Sequence, residues 1–143
     1  MQRIELSIPS HPIFERVVRA SAAEVGTAFG FSGERVEDLK LAISEAVNNA
    51  IDHGNHGEVS KLVAVVFEID GEKLEIRISD QGSGMENRHD IARHVIDEQS
   101  LEAGYLRGFG LYLISELVDD YEVDSSQKGT MLTLRLYRRE DQP

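Results

Sequence analysis

Two periods of apolar residues alternate along the 143-residue chain. Residues 2–8 place Ile4, Leu6 and Ile8 at every second position, the pattern of a half-buried strand. Ser10-His11-Pro12 reads as a helix start, because proline is tolerated in a first turn. Phe14, Val17, Val18, Ser21, Val25, Ala28 and Phe29 then follow a helical stripe, which Gly30 is placed to stop. A second helix is predicted from Ser32-Gly33 to His53-Gly54, with the stripe Val36, Leu39, Ile43, Ala46, Val47 and Ala50. Residues 62–69 read as a buried strand, Asp70-Gly71 as a hairpin turn, and 73–80 as a strand with Leu74, Ile76 and Ile78 inward. The segment 81–107 is polar, glycine-bearing and weakly periodic, with a short helix predicted around 89–98. A helix over 109–118 and strands at 121–123 and 131–137 complete the chain. The order β-α-α-β-β-loop-α-β-β is not strict βα alternation. It predicts one domain, residues 1–143, built as a two-layer α/β (α+β) sandwich: a mixed or antiparallel sheet with helices on one face.

Composition narrows the classes. Hydrophobic residues make up 41 %, enough for a core, and 15 Lys+Arg face 26 Asp+Glu for a net charge of -11. No stretch approaches the ~18 apolar residues of a membrane span, and the N-terminal residues lack the apolar run of a signal peptide. With no Cys, disulfides and thiolate metal sites are excluded. A cytoplasmic protein with no membrane and no direct nucleic-acid partner is expected, since phosphate backbones call for a basic patch. The acidity raises a question: if such a chain binds an anion, what supplies the positive charge?

Four short constellations bear on this. On the second helix Glu45, Asn49 and Asp52 are spaced i, i+4, i+7 and share a face roughly opposite the apolar stripe. Such a face suits solvent. Yet an amide oxygen and a carboxylate one turn apart also suit a hard cation such as Mg²⁺, and Glu45 alternatively suits a general base. Asp80-Gln81-Gly82-Ser83-Gly84-Met85 follows a strand, where a carboxylate is placed to accept from a ligand and glycines let backbone approach closely. Arg107-Gly108-Phe109-Gly110-Leu111 opens the third helix, an anion site in principle or a hinge. Lys128-Gly129-Thr130 precedes the last strand. The dinucleotide pattern fails at Leu113 and the P-loop pattern is absent. The five histidines (His11, His53, His56, His89, His94) are scattered, and His53 with His56 has no third ligand at sensible spacing.

In this order and spacing the constellations resemble the GHKL (Bergerat-fold) ATP-binding family over most of the chain. Ser44-Glu45-Ala46-Val47-Asn48-Asn49-Ala50 and the opening strand and helix resemble its anti-sigma-factor serine kinases. The resemblance implies a Bergerat-type sheet with an ATP lid at about residues 86–107, and ATP and Mg²⁺ as cofactors. It implies Asn49 as the Mg²⁺ ligand and Glu45 as the base for a substrate serine. Asp52 is implied as a nucleotide-binding residue, and His53 and Gly54 fall on the phosphate and ribose side. Asp80, Gly82, Gly84, Met85 and Thr130 fall on the adenine side. Gly108, Phe109, Gly110 and Leu111 supply backbone to the phosphates, and Arg107 is either a phosphate contact or a solvated lid residue. The implied function is a bacterial cytoplasmic homodimer that binds a sigma factor and phosphorylates a serine on an anti-sigma-factor antagonist of the STAS fold. Two alternatives stay open: a nucleotide-dependent binding module without efficient transfer, and a switch kinase acting on an upstream stress-signalling regulator. A sensor histidine kinase is disfavoured, because residues 1–40 cannot supply its helical dimerisation segment. On this reading Mg²⁺ and backbone N–H groups neutralise the nucleotide. The acid concentrated at 97–124, eight Asp/Glu against Arg107 alone, is then free to meet a basic partner.

Overall fold

The computed structural model describes residues 1–82 and 106–139, with backbone only at 106–109. Five strands form one sheet: β1 (Gln2–Pro9), β2 (Leu62–Ile69), β3 (Lys73–Ser79), β4 (Asp120–Ser126) and β5 (Gly129–Tyr137). Their order is β1-β2-β3-β5-β4, and every neighbouring pair is antiparallel, which resolves the mixed-or-antiparallel alternative. Helices α1 (Glu15–Ala28), α2 (Gly33–Asn49) and α3 (Leu106–Leu117) complete the α+β layers. A 3₁₀ turn, Pro12–Phe14, leads into α1, and α2 continues as a π-helical turn, Ala50–Gly54. Among the described residues no helix is long and apolar enough to cross a membrane. The helix predicted near 89–98 lies outside the described residues.

The core follows the strand alternation. Ile8, Val63, Val65, Phe67, Leu74, Ile76, Ile78, Leu134 and Leu136 point to one side of the sheet and are buried under the helices. All six predicted stripe residues of α2 are buried as well. Helix α1 differs from its prediction. Its buried face is Glu15, Val18, Ala22 and Gly26, while Phe14 and Val17 are exposed. Small residues let α1 approach closely, and a Cβ added at Gly26 would lie 3.2 Å from Val36 Cγ2. Glu15 is tolerated on that face because Ser44 Oγ donates to it and Arg19 lies 3.6 Å away. Gly30, at φ 86°, ends the helix as expected.

The opposite face of the sheet is charged. Glu68 and Glu75 stand directly across β2 and β3 from each other, a repulsive pair by itself. Arg77 bridges both carboxylates. Arg135 donates to Glu75 at 2.7 Å, Asp120 at 2.8 Å and Glu122 at 3.0 Å. Glu122, then Glu75, hold its guanidinium above the usual arginine range. At the far end of the sheet Asp119 pairs with Arg35 and Arg139. Asp119, Asp120 and Glu122 belong to the acidic tract expected to stand free for a basic partner. Each is instead paired with an arginine, the Asp119 side chain partly buried and those of Asp120 and Glu122 still at the surface, because β5, α2 and the C-terminal segment bring distant arginines to them.

Replacing Arg135 with Ala leaves Arg77 alone to bridge Glu75 and Glu68 and releases two β4 carboxylates. Urea unfolding is expected to show a loss of about 1–3 kcal/mol, and a stability within error of the parent would count against the network.

Candidate nucleotide site

The site forms where the C-terminal end of α2, the C-terminal end of β3 and the start of β5 converge. At its centre is Asp80, buried at 8 % exposure. Its N–H donates to the Thr130 carbonyl at 3.0 Å. Its Oδ1 accepts the N–H groups of Gly82 at 3.0 Å and Thr130 at 3.1 Å. The β3–β5 ladder is therefore prolonged by one side chain, which turns the carboxyl toward the helix layer. Thr130 Oγ1 in turn shares a hydrogen bond with Ser125 Oγ at 3.0 Å.

Three glycines make room for this carboxyl. A Cβ at Gly54 would sit 2.2 Å from Asp80 Cγ and Oδ2. One at Gly82 would sit 1.8 Å from the Gly54 carbonyl oxygen, and one at Gly129 (φ 137°) 2.2 Å from the Asp80 carbonyl oxygen. No side-chain-bearing residue allows these separations, so backbone lies directly on backbone around Asp80. Beside it opens a small pocket, in part open to solvent. It is walled by Ala46, Asn49, Ala50, Ile78, Asp80, Leu111, Val123, Thr130 and Leu132. One buried carboxylate in an otherwise mostly apolar slot suits a flat heterocycle that carries a hydrogen-bond donor.

The polar mouth lies one helical turn away. A Cβ at Gly110 would lie 2.9 Å from Asn49 Nδ2 and 3.2 Å from Glu45 Oε2. The first turns of α3 thus rest on the side of α2 that carries Glu45 and Asn49. That side is half-buried and adjoins the apolar stripe rather than opposing it, because Ala46 and Ala50, one position on, share the pocket wall. Helix α3 begins at Leu106, three residues before the predicted start. Gly108 and Gly110 accordingly lie within its first two turns, and the N–H groups that a helix start leaves without intrahelical partners belong to the turn ahead of Gly110.

Of the residues picked out in the sequence, the fold brings Glu45, Asn49, Gly54, Asp80, Gly82, Gly110, Leu111 and Thr130 to this one place. Asp52 and His53 are exposed on the π-helical turn and do not line the pocket. Gly84, Met85 and residues 86–105 of the expected lid lie outside the described residues, as do the side chains of Arg107 and Phe109. Sequence reasoning passed over the apolar walls Ile78, Val123 and Leu132. Their alternation identifies them as core-facing, but only the meeting of β3, β4 and β5 makes them pocket walls. It also passed over Asn55, which is fully buried.

Residues 8–136 match the family model of the histidine kinase-like ATPase domain. The chain is 32 % identical over 143 residues to serine-protein kinase RsbW of Listeria innocua, covering 98 % of this chain and 90 % of that protein. It is 33 % identical over 141 residues to serine-protein kinase RsbW of Oceanobacillus iheyensis, covering 97 % and 89 %. Among solved structures it is similar to the RsbU and RsbW domains of Rv1364c from Mycobacterium tuberculosis, with a TM-score of 0.69 and 21 % identity. That match covers 97 % of this chain and 34 % of the longer one. It is also similar to the SiaB–SiaC complex from Pseudomonas aeruginosa, with a TM-score of 0.60, 17 % identity and coverage of 94 % and 88 %. At these identities the structural likeness concerns the fold.

Gly54→Ala tests the close approach. The added methyl meets a buried carboxyl held on both sides, so thermal or urea unfolding is expected to show a loss of about 1–3 kcal/mol. Adenine-nucleotide affinity is expected to fall with it. Parental values for both would mean that Asp80 moves aside freely.

Proposed function

The chain belongs to the histidine kinase-like ATPase family, and from that premise we propose that it is an anti-sigma-factor serine kinase. In this reading it binds ATP and a sigma factor, and it phosphorylates a serine on a STAS-fold anti-sigma-factor antagonist. The observation that carries the reading is the apposition of the first turns of α3 on Glu45 and Asn49, next to the Asp80 pocket. Relatives named as serine-protein kinases along nearly the whole chain support it. We further propose that it acts as a homodimer in the bacterial cytoplasm.

The residues present fit Mg²⁺-ATP. The pocket offers Asp80 to the amino group of adenine and apolar walls to its faces. Gly110 leaves no side chain between the backbone of α3 and the Glu45–Asn49 side, so the two pack directly on each other and phosphate would meet both at the edge of that contact. Asn49 offers an amide oxygen, a hard ligand of the kind Mg²⁺ accepts. Mg²⁺, when bound, screens the phosphate charge that an acidic protein cannot neutralise with lysines. First-turn N–H groups and the positive end of the α3 dipole add to that screening. Glu45, one turn before Asn49, is in place to take the proton of a serine hydroxyl as its oxygen bonds to the terminal phosphorus and ADP leaves. Positioning and charge neutralisation account for most of the rate in such transfers.

Two substitutions separate these roles. Glu45→Gln is expected to keep ATP affinity in calorimetry while transfer of labelled phosphate to a co-purified STAS partner drops about 10²–10⁴-fold. Transfer at the parental rate would remove Glu45 from the base role. Transfer absent even from the parent protein would leave a binding module. Asn49→Ala is expected to abolish the Mg²⁺-dependent part of ATP binding, measured with and without EDTA. An unchanged Mg²⁺ dependence would sink that assignment.

A further inference from the structure

Asn55 is an asparagine with 0 % exposure, one residue beyond the glycine that touches Asp80. A buried amide requires partners, and its side chain has three. Oδ1 accepts the N–H of Gln81 at 2.7 Å, while Nδ2 donates to Ser10 Oγ at 2.8 Å and to the Leu62 carbonyl at 3.1 Å. Each of these partners is tied to another segment. Ser10 Oγ donates to the Lys61 carbonyl at 2.6 Å, and the Leu62 N–H donates to Gln81 Oε1 at 2.7 Å. Asn55 itself is anchored to the π-helical turn, its N–H donating to the Ala50 carbonyl at 2.9 Å.

We infer that Asn55 is a positioning residue for the nucleobase side of the pocket, holding the Asp80–Gln81–Gly82 turn against the end of α2 through its bond to the Gln81 N–H. The inference rests on the nucleotide-binding reading above. The geometry behind it is direct. Asp80 and Gly82 flank Gln81, and both press on Gly54 at separations that only glycine permits. Backbone surfaces that close have no side chain between them to set the spacing. Among the described residues, the Asn55–Gln81 bond spans the same two segments at the same level. On the other side Asp80 is fixed to β5 through Thr130. The carboxyl is thus located from two directions, by a ladder bond on the sheet and by a side-chain clamp on the helix. Nδ2 extends that clamp to Ser10 and Leu62, where β1 ends and β2 begins. The side-chain hydrogen bonds of Asn55 go to Gln81, Ser10 and Leu62 and not to Glu45 or Asn49, so its effect falls on binding the base and not on the transfer chemistry.

The test uses the full chain and ATP itself. For Asn55→Ala, calorimetry well below its melting temperature is expected to show ATP affinity reduced on the order of tenfold. In phosphate transfer, KM for ATP is expected to rise by a similar factor while kcat at saturating ATP stays near the parental value. Asn55→Asp keeps the shape and the acceptor for the Gln81 N–H and loses only the amide donors to Ser10 and Leu62, so it is expected to recover much of the affinity that Asn55→Ala loses. Parental affinity and KM in a folded Asn55→Ala protein would overturn the inference. So would a fall in kcat with KM unchanged, or failure of both variants to fold, which would assign Asn55 to folding alone. If the parent protein itself binds no ATP, the nucleotide reading falls and this one with it. If the parent binds and the variants bind equally, only the positioning role falls.

Discussion

The site depends on one close contact: the carboxyl of Asp80 lies against the backbone of Gly54, with the Gly82 and Gly129 backbones stacked around it. A buried carboxylate is costly unless its oxygens are satisfied, and here two backbone N–H groups meet one oxygen. The same contact draws the end of α2 onto the end of β3. Once those ends meet, Ala46 and Ala50 face Ile78 and Leu132 across a gap, and the gap is the pocket. The next turn of α2 upstream then places Asn49 and Glu45 at its mouth, under Gly110 of α3. The spacing from base pocket to reactive groups is therefore set by helical pitch from a single anchored end.

Charge is handled by a division of labour. A chain of net charge -11 needs local devices to hold a polyanion, and most arginines among the described residues are committed elsewhere. Arg77 and Arg135 hold together carboxylates that the strand register sets side by side. Arg35 and Arg138 both lie over the Phe31 ring, 5.1 Å and 5.5 Å from its centre. Arg138 also donates to the Phe29 carbonyl at 2.5 Å, so the connection from α1 to α2 and the segment after β5 are held together by cations. Helix-end N–H groups and an amide oxygen for Mg²⁺ carry no formal charge. They leave this bookkeeping undisturbed while still favouring phosphate.

Much of the fold was legible because burial enforces period. A strand that buries one face must alternate, and a helix under a sheet must repeat near 3.6 residues, so β1, β2, β3, β5 and α2 stand where the pattern places them. Helix α1 misled for a specific reason. Its contact with α2 uses Ala22 and Gly26, small residues that carry little hydrophobic signal, whereas the larger Phe14 and Val17 stay on the surface. The start of α3 was misplaced because Gly108 and Gly110 read as helix boundaries by propensity, and the packing against α2 overrides that preference.

The sequence by itself determined the element types, the sidedness of the sheet and the residue kinds of the site: a carboxylate after a strand, an amide one turn after a carboxylate, glycines at three separate places. These are local properties, written in spacing and in the backbone freedom of glycine. Only the tertiary structure decided which of them act together. It set Asp52 and His53 outside the pocket and Glu45 and Asn49 at its edge. It also turned acids expected to stand free into partners of distant arginines, and gave the unremarked Asn55 three hydrogen bonds. Each of those outcomes depends on contacts between residues far apart in the chain, and neither periodicity nor propensity carries information about such distances.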